Sequence, residues 1–173
     1  MKLNIFPIPI YIGNIETDKI IISNKGFEKT WLSETESSHN FLNKIEDSSW
    51  AYLQTIIADL LKEDFNFSYE LTLKSIWENQ YKASDFQENH IHTGSHFSFI
   101  IYKEIEKSNT VFFRPDKNLF DSFYNGKFNQ FNNKFIPECR SNQIIIFPSC
   151  IEHMVLSNTI SKTIAGNLII KRI

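Results

Sequence analysis

The sequence predicts a mostly β, α+β fold: an antiparallel sheet sandwich or jelly roll with N-terminal helices packed on one outer face. Three observations predict it. One long stretch before residue 64 repeats apolar residues at helical spacing. After Asp64 the pattern changes to period two, in runs rich in Ile, Phe and Val. The order is therefore helix first and most strands later, which is the pattern of an α+β layer architecture. At 173 residues the chain fits one domain, 1–173, large enough to bury a core.

Residues 3–14 alternate well enough for an edge strand, the one kind of strand that tolerates Pro7 and Pro9. Residues 19–23 make a second short strand. The stretch from Ser37 to Lys62 is helical in character, with Asp47 or Ser48 as its N-cap. Trp50, Leu53, Ile56, Ile57, Leu60 and Leu61 form one apolar stripe, which predicts packing against a sheet. In residues 67–81, Tyr69, Leu71 and Leu73 alternate with polar neighbours, as in a strand. Residues 97–105, 110–114, 143–147 and 162–171 are further strands. Between them, residues 115–136 are Asn- and Phe-rich and aperiodic. A loop that long suits a lid or substrate-binding flap.

Composition narrows the function. Net charge is −2 with both signs interspersed, so neither a nucleic-acid footprint nor a polybasic membrane patch is written here. No run of about 20 apolar residues offers a transmembrane helix. The N-terminal apolar stretch is broken by two prolines and lacks a signal-peptide pattern. Two cysteines, Cys139 and Cys150, make no disulfide framework, so reduced thiols and a cytoplasmic protein are expected. Cys150 reads as a small buried apolar residue.

Chemistry concentrates in the histidines. His90-Ile91-His92 places two imidazoles on one face of an extended chain, because side chains alternate with period two. Phe147-Pro148-Ser149-Cys150-Ile151-Glu152-His153 brings a third imidazole beside another strand. Three such ligands can occupy one face of a metal ion and leave positions open opposite. His39 and His96 are expected at the surface, and Gly94 is expected to turn the chain between His92 and His96.

The run Ile76 to Tyr81, the run Asp85 to Tyr102, the Phe-Pro-Ser…His-x-Val element and the run Lys162 to Asn167 together resemble Fe(II)/2-oxoglutarate-dependent dioxygenases of the prolyl-hydroxylase type. The resemblance is closest to the small oxygenase-like proteins of phages and marine bacteria. It implies a double-stranded β-helix (a jelly-roll barrel). It implies Fe(II), 2-oxoglutarate as cosubstrate and O2, with hydroxylation of an unknown substrate. His90 would be the first metal ligand and His153 the distal one. His92 falls where most of the family has a carboxylate. Tyr81 stands nine residues before His90, where an active-site tyrosine is common. Tyr102 stands where a tyrosine binds the cosubstrate's distal carboxylate. Lys162, nine residues after His153, stands where Arg or Lys binds that same carboxylate. Asn79, Ser98 and Asn167 would line the pocket.

Alternatives stay open at this level. Glu88 shares period-two spacing with His90 and could replace His92 as a ligand. A three-histidine dioxygenase could bind its substrate directly without 2-oxoglutarate. A non-catalytic jelly-roll binding module is the third reading. The primary substrate could be a peptide, a nucleotide or a metabolite. The edge strand at 3–14 could pair with another chain. A phage-encoded protein of this kind would work in the host cytoplasm.

Overall fold

The computed structural model describes residues 8–116, 133–157 and 160–173. In chain order these form β1 (Tyr11–Asn14), β2 (Ile22–Ser23), β3 (Glu28–Thr30), β4 (Thr35–Ser37), β5 (Lys44–Ile45) and the helix α1 (Asp47–Leu61). There follow β6 (Tyr69–Tyr81), β7 (Gln87–His90), β8 (Phe97–Ile105), β9 (Thr110–Phe113), β10 (Lys134–Phe135), β11 (Gln143–Pro148), β12 (His153–Val155) and β13 (Ser161–Arg172). A larger sheet has the order β1-β11-β8-β13-β6-β4-β3, a smaller one β10-β9-β12-β7, and β2 pairs with β5. The pairings are antiparallel, including the long ladder of β13 with β6. The fold is thus mostly β with one α-helix among the described residues, where the sequence suggested several helices. That helix is too short and polar to cross a membrane, and no other described helix does better.

Parity along the strands divides the interior in two. Ile76, Phe97, Phe99, Ile101, Ile144, Ile146, Ile164 and Leu168 point to one face of the large sheet. Leu53, Ile57 and Leu61 of α1 pack on that face and are fully buried at spacings of one helical turn. The predicted stripe and its sheet partner are therefore both present. The alternate residues, among them Trp77, Ile100, Tyr102, Ile145, Phe147 and Ala165, point to the other face and the second cluster.

The helix is shorter than its sequence signal. It begins at Asp47 and not at Ser37, because β4 pairs with β6 and β5 with β2. Ser and Asn side chains divert this lead-in from helix. Asn43 Nδ2 donates to the carbonyls of Ser38 and Phe41, and Ser38 Oγ accepts the amide of Glu78. Neither Asp47 nor Ser48 is the N-cap. Glu46 holds that position without a side-chain bond, and Asp47 meets the positive end of the helix instead. β1 is an edge strand as expected, and of the described residues 8–14 of the predicted run it covers 11–14. Residues 1–7 and 117–132, including most of the predicted flap, lie outside the described residues. Cys139 is buried and Cys150 is exposed, so Cys150 is not the buried residue expected of it. It lies in the turn after β11.

Candidate metal centre

The small sheet builds the histidine cluster. β12 pairs with β7 so that His153 stands directly across from His90. His92 follows two residues later, where the chain leaves the sheet. Its amide donates to the Ser149 carbonyl at 2.9 Å, and Ser149 N donates to His96 O at 3.0 Å. Gly94 turns the segment with φ +70°, a region that costs a side-chain residue energy. The Lys74 ammonium closes the turn on the carbonyls of Thr93 and Gly94.

The three rings converge. Their centroids lie 4.1 Å apart for His90–His153, 5.0 Å for His90–His92 and 5.1 Å for His92–His153. One ligating nitrogen from each lies within 4.8 Å of the others. His90 Nδ1 is 2.8 Å from the Glu88 carbonyl, and His153 Nδ1 is 2.9 Å from the Ile151 carbonyl. A carbonyl only accepts, so both Nδ1 atoms carry the proton and both Nε2 atoms keep a lone pair. That is the orienting contact that metal-bound histidines use. Burial lowers the pKa of all three rings, to about 4 for His92 and about 3 for His153, with His90 adding repulsion at each. At neutral pH the cluster offers three uncharged imidazoles. These residues fit a divalent first-row cation, which accepts imidazole nitrogen readily. Glu88 is not part of the cluster. Its carboxylate faces the backbone amide of Leu32, at 3.4 Å.

A hollow between the two sheets adjoins the cluster. Asn79 and Tyr81 of β6 line it, as do Thr163 and Ala165 of β13 and Thr110 of β9. Its free volume is about 20 Å³, room for one water molecule. Tyr81 is buried and donates to Gln87 Oε1 at 3.1 Å, and burial raises its pKa. Asn79 accepts from Ser37 Oγ at 2.7 Å. Thus Tyr81 and Asn79 join His90, His92 and His153 around one space.

The other sequence candidates lie elsewhere. Tyr102 is fully buried one layer behind the lining, its hydroxyl 2.8 Å from Thr110 Oγ1. Ser98 bonds to Ser149 and Asn167, and Asn167 to Ser75, in a separate buried network. That network braces the strand end from which the His92 segment hangs. Lys162 is outside the hollow: its ammonium pairs with Glu104 at 2.9 Å and is half exposed. Parity is the reason. Thr163 and Ala165 face inward, so Lys162 between β13's first residue and Thr163 must face out.

Sequence reasoning missed an aromatic group packed beside the cluster. Trp31, between β3 and β4, stacks over His90 at 6.4 Å and 14°. Its backbone is left-handed at φ 66°, unusual for a bulky residue. His39 is exposed, as expected, but stands between Trp31 (5.1 Å) and Trp77 (4.8 Å). The indole N–H groups of Trp31 and Trp77 are buried without a hydrogen-bond partner among the described residues. The only signal in the sequence was an aromatic residue set in a polar hairpin stretch.

Residues 75–163, just over half of the chain, match the family model described as "Putative 2OG-Fe(II) oxygenase". No curated protein matches the chain in sequence. Among solved structures, one similar fold is an oxidoreductase of the 2OG-Fe(II) oxygenase family from Burkholderia pseudomallei. It has 12% identity and a TM-score of 0.51, over 92% of this chain and 68% of that one. Another is a prolyl hydroxylase in complex with a hypoxia inducible factor oxygen degradation domain peptide fragment, from Trichoplax adhaerens. It has 11% identity and a TM-score of 0.50, over 83% of this chain and 70% of that one. At such identities the likeness is one of fold.

Proposed function

We propose, from the premise that this chain belongs to the 2OG-Fe(II) oxygenase family, that His90, His92 and His153 hold Fe(II) in an enzyme that uses 2-oxoglutarate and O2 to hydroxylate a substrate. The two facing sheets are read as a double-stranded β-helix, with the metal between them. The observation that carries the reading is the convergence of three imidazoles from two separate stretches of chain on one space.

Bound Fe(II) supplies open coordination positions at which the cosubstrate and dioxygen can be brought together. The chain's own residues do the positioning. The Glu88 and Ile151 carbonyls hold the rings of His90 and His153 in the ligating tautomer. Phe112 and Phe147 pack at 5.8 and 4.8 Å from the His153 ring and keep water from its buried side. Tyr81, Asn79 and Thr163 offer hydroxyl and amide groups to the cosubstrate's far end. A five-carbon diacid is larger than the present free volume, so the lining shifts as it enters. The primary substrate approaches from the Trp31 side of the cluster, where the indole stacks over His90.

One observation favours a second reading. Among the described residues, the lining of the hollow contains no Lys or Arg to meet a distal carboxylate. A three-histidine dioxygenase that binds its substrate directly needs none. Anaerobic addition of Fe(II) and 2-oxoglutarate separates the two. The proposed function gives a weak visible charge-transfer band and, in air with a competent substrate, succinate. No band and no succinate would transfer the assignment to the second reading.

A further inference from the structure

We propose that the hollow takes its divalent cation and a dianionic cosubstrate as one mutually dependent neutral pair, with His92 as the residue that enforces the dependence. This rests on the function proposed above and adds the charge rule by which the site selects its occupants.

The argument is electrostatic. Among the described residues, the lining contains no Asp, Glu, Lys or Arg. Of the charged side chains nearby, Asp85 and Glu88 act on Tyr81 and His90 from outside the lining and are held by the backbone amides of Lys82 and Leu32. Glu78 pairs with Lys103 on the outer face, Lys162 with Glu104, and Lys74 with two backbone carbonyls. The ligands themselves are three imidazoles, and imidazole binds a cation without contributing charge. A divalent cation bound alone would therefore leave two uncompensated positive charges in a largely buried space. A dianion alone would leave two negative ones. Each state carries the desolvation penalty of an unpaired buried charge. Together they sum to zero, so each ligand removes the penalty of the other. Coupling of this kind is reciprocal.

The far end of the dianion is met by uncharged donors. Trp77 is buried to 3% exposure, lines the hollow and has an indole N–H with no partner among the described residues. The Tyr81 hydroxyl, whose proton is shared with Gln87 Oε1, stands four residues further along β6 on the same inward face. A neutral donor pair stabilises a carboxylate without adding the charge that would upset the balance.

The test uses the metal-stripped full chain and Mn(II). Mn(II) affinity is measured by calorimetry alone, with saturating 2-oxoglutarate, and with its 5-methyl ester. The ester keeps the chelating keto acid and carries one charge fewer. The acid is expected to tighten Mn(II) binding about tenfold more than the ester, a difference in the usual range of coupling energies. His92→Asp supplies the missing negative charge, so Mn(II) alone should bind more tightly. The preference for acid over ester should then shrink about tenfold. Equal tightening by acid and ester would overturn the inference. So would an acid preference unchanged in His92→Asp, because that would trace to local hydrogen bonds at the far end. If succinate still forms in either case, only this inference falls. If neither keto acid binds the Mn(II) form, the cosubstrate reading falls with it.

Discussion

The two faces of the large sheet are made by the same strands and obey opposite rules. Toward α1, β6, β8, β11 and β13 present Ile76, Phe97, Ile101, Ile144, Ile146, Ile164 and Leu168, a wholly apolar surface. Toward the small sheet, residues one position away include Asn79, Ser98, Thr163 and Asn167, all buried and polar. Apolar burial on the first face is non-directional and tolerates no cavity. Polar groups on the second need partners, and most have them: Ser37 for Asn79, Asn167 for Ser98, Thr110 for Tyr102. Stability and chemistry are thereby separated by a single step along each strand. Substitutions on one face should change folding and leave binding, and the reverse on the other.

The largest effect is expected on the helix face. Leu53 is fully buried, and Leu53→Ala should cost about 2–5 kcal/mol in denaturant unfolding. Mn(II) affinity of the folded fraction should stay within about twofold, since additivity holds between distant sites. A comparable loss of metal binding would show that the faces are coupled. On the other face, His153→Ala should weaken Mn(II) binding by more than about a hundredfold, beyond the usual cost of losing an outer contact to a ligand. Its far-UV circular dichroism should be unchanged. Gly166→Ala returns to the helix face. An added Cβ would clash with Phe99 Cζ and meet the Ser75 carbonyl at 2.8 Å. Overpacking of this kind costs about 1–3 kcal/mol, and the backbone contact puts the expectation at the upper end.

Acid should act chiefly through the cluster face. In the unfolded chain each histidine titrates near its ordinary value of about 6.5. In the folded metal-free protein burial holds His92 to about 4 and His153 to about 3. Below pH about 6.5 the unfolded state therefore binds protons that the folded state does not. The stability present above that pH is lost progressively as pH falls toward 3. Unfolding midpoints between pH 7.5 and 4.5 should decline accordingly, and His153→Ala should flatten the decline. An unchanged slope in that variant would assign the acid sensitivity to other groups.

How much of this could be read from the residues follows the same division. The stripe from Trp50 to Leu61 and the strands after Asp64 were legible because periodicity reports burial directly. The histidine cluster was legible because H-x-H and a distant histidine are rare neighbours of strands. The extra strands β4 and β5 were not, since three and two residues are too short to show a period, and they form strands only through partners at Asn79, Gln80 and Ile22. Trp31 was hidden for a related reason. Its place over His90 depends on a hairpin docked through Ser33, whose hydroxyl donates to Phe86 O at 2.6 Å and accepts from Phe86 N at 3.0 Å. Nothing local in residues 28–37 announces that contact.

Lys162 marks the point where spacing misleads and parity decides. Nine residues after His153 matches the resemblance, but a count along the chain carries no information about face unless the strand's phase is known. Thr163 lines the hollow, Lys162 meets Glu104, and the ladder of β13 with β8 shifts register between these two residues. An exposed ion pair of this kind is worth about 0–1 kcal/mol. Lys162→Ala should therefore be nearly silent: stability within that range, and 2-oxoglutarate affinity of the Mn(II) form unchanged within about twofold, as expected for a residue sharing no partner with the site. A tenfold loss of 2-oxoglutarate affinity would mean that the ammonium reaches the cosubstrate after all. The neutral lining, and the charge rule built on it, would then have to be abandoned together.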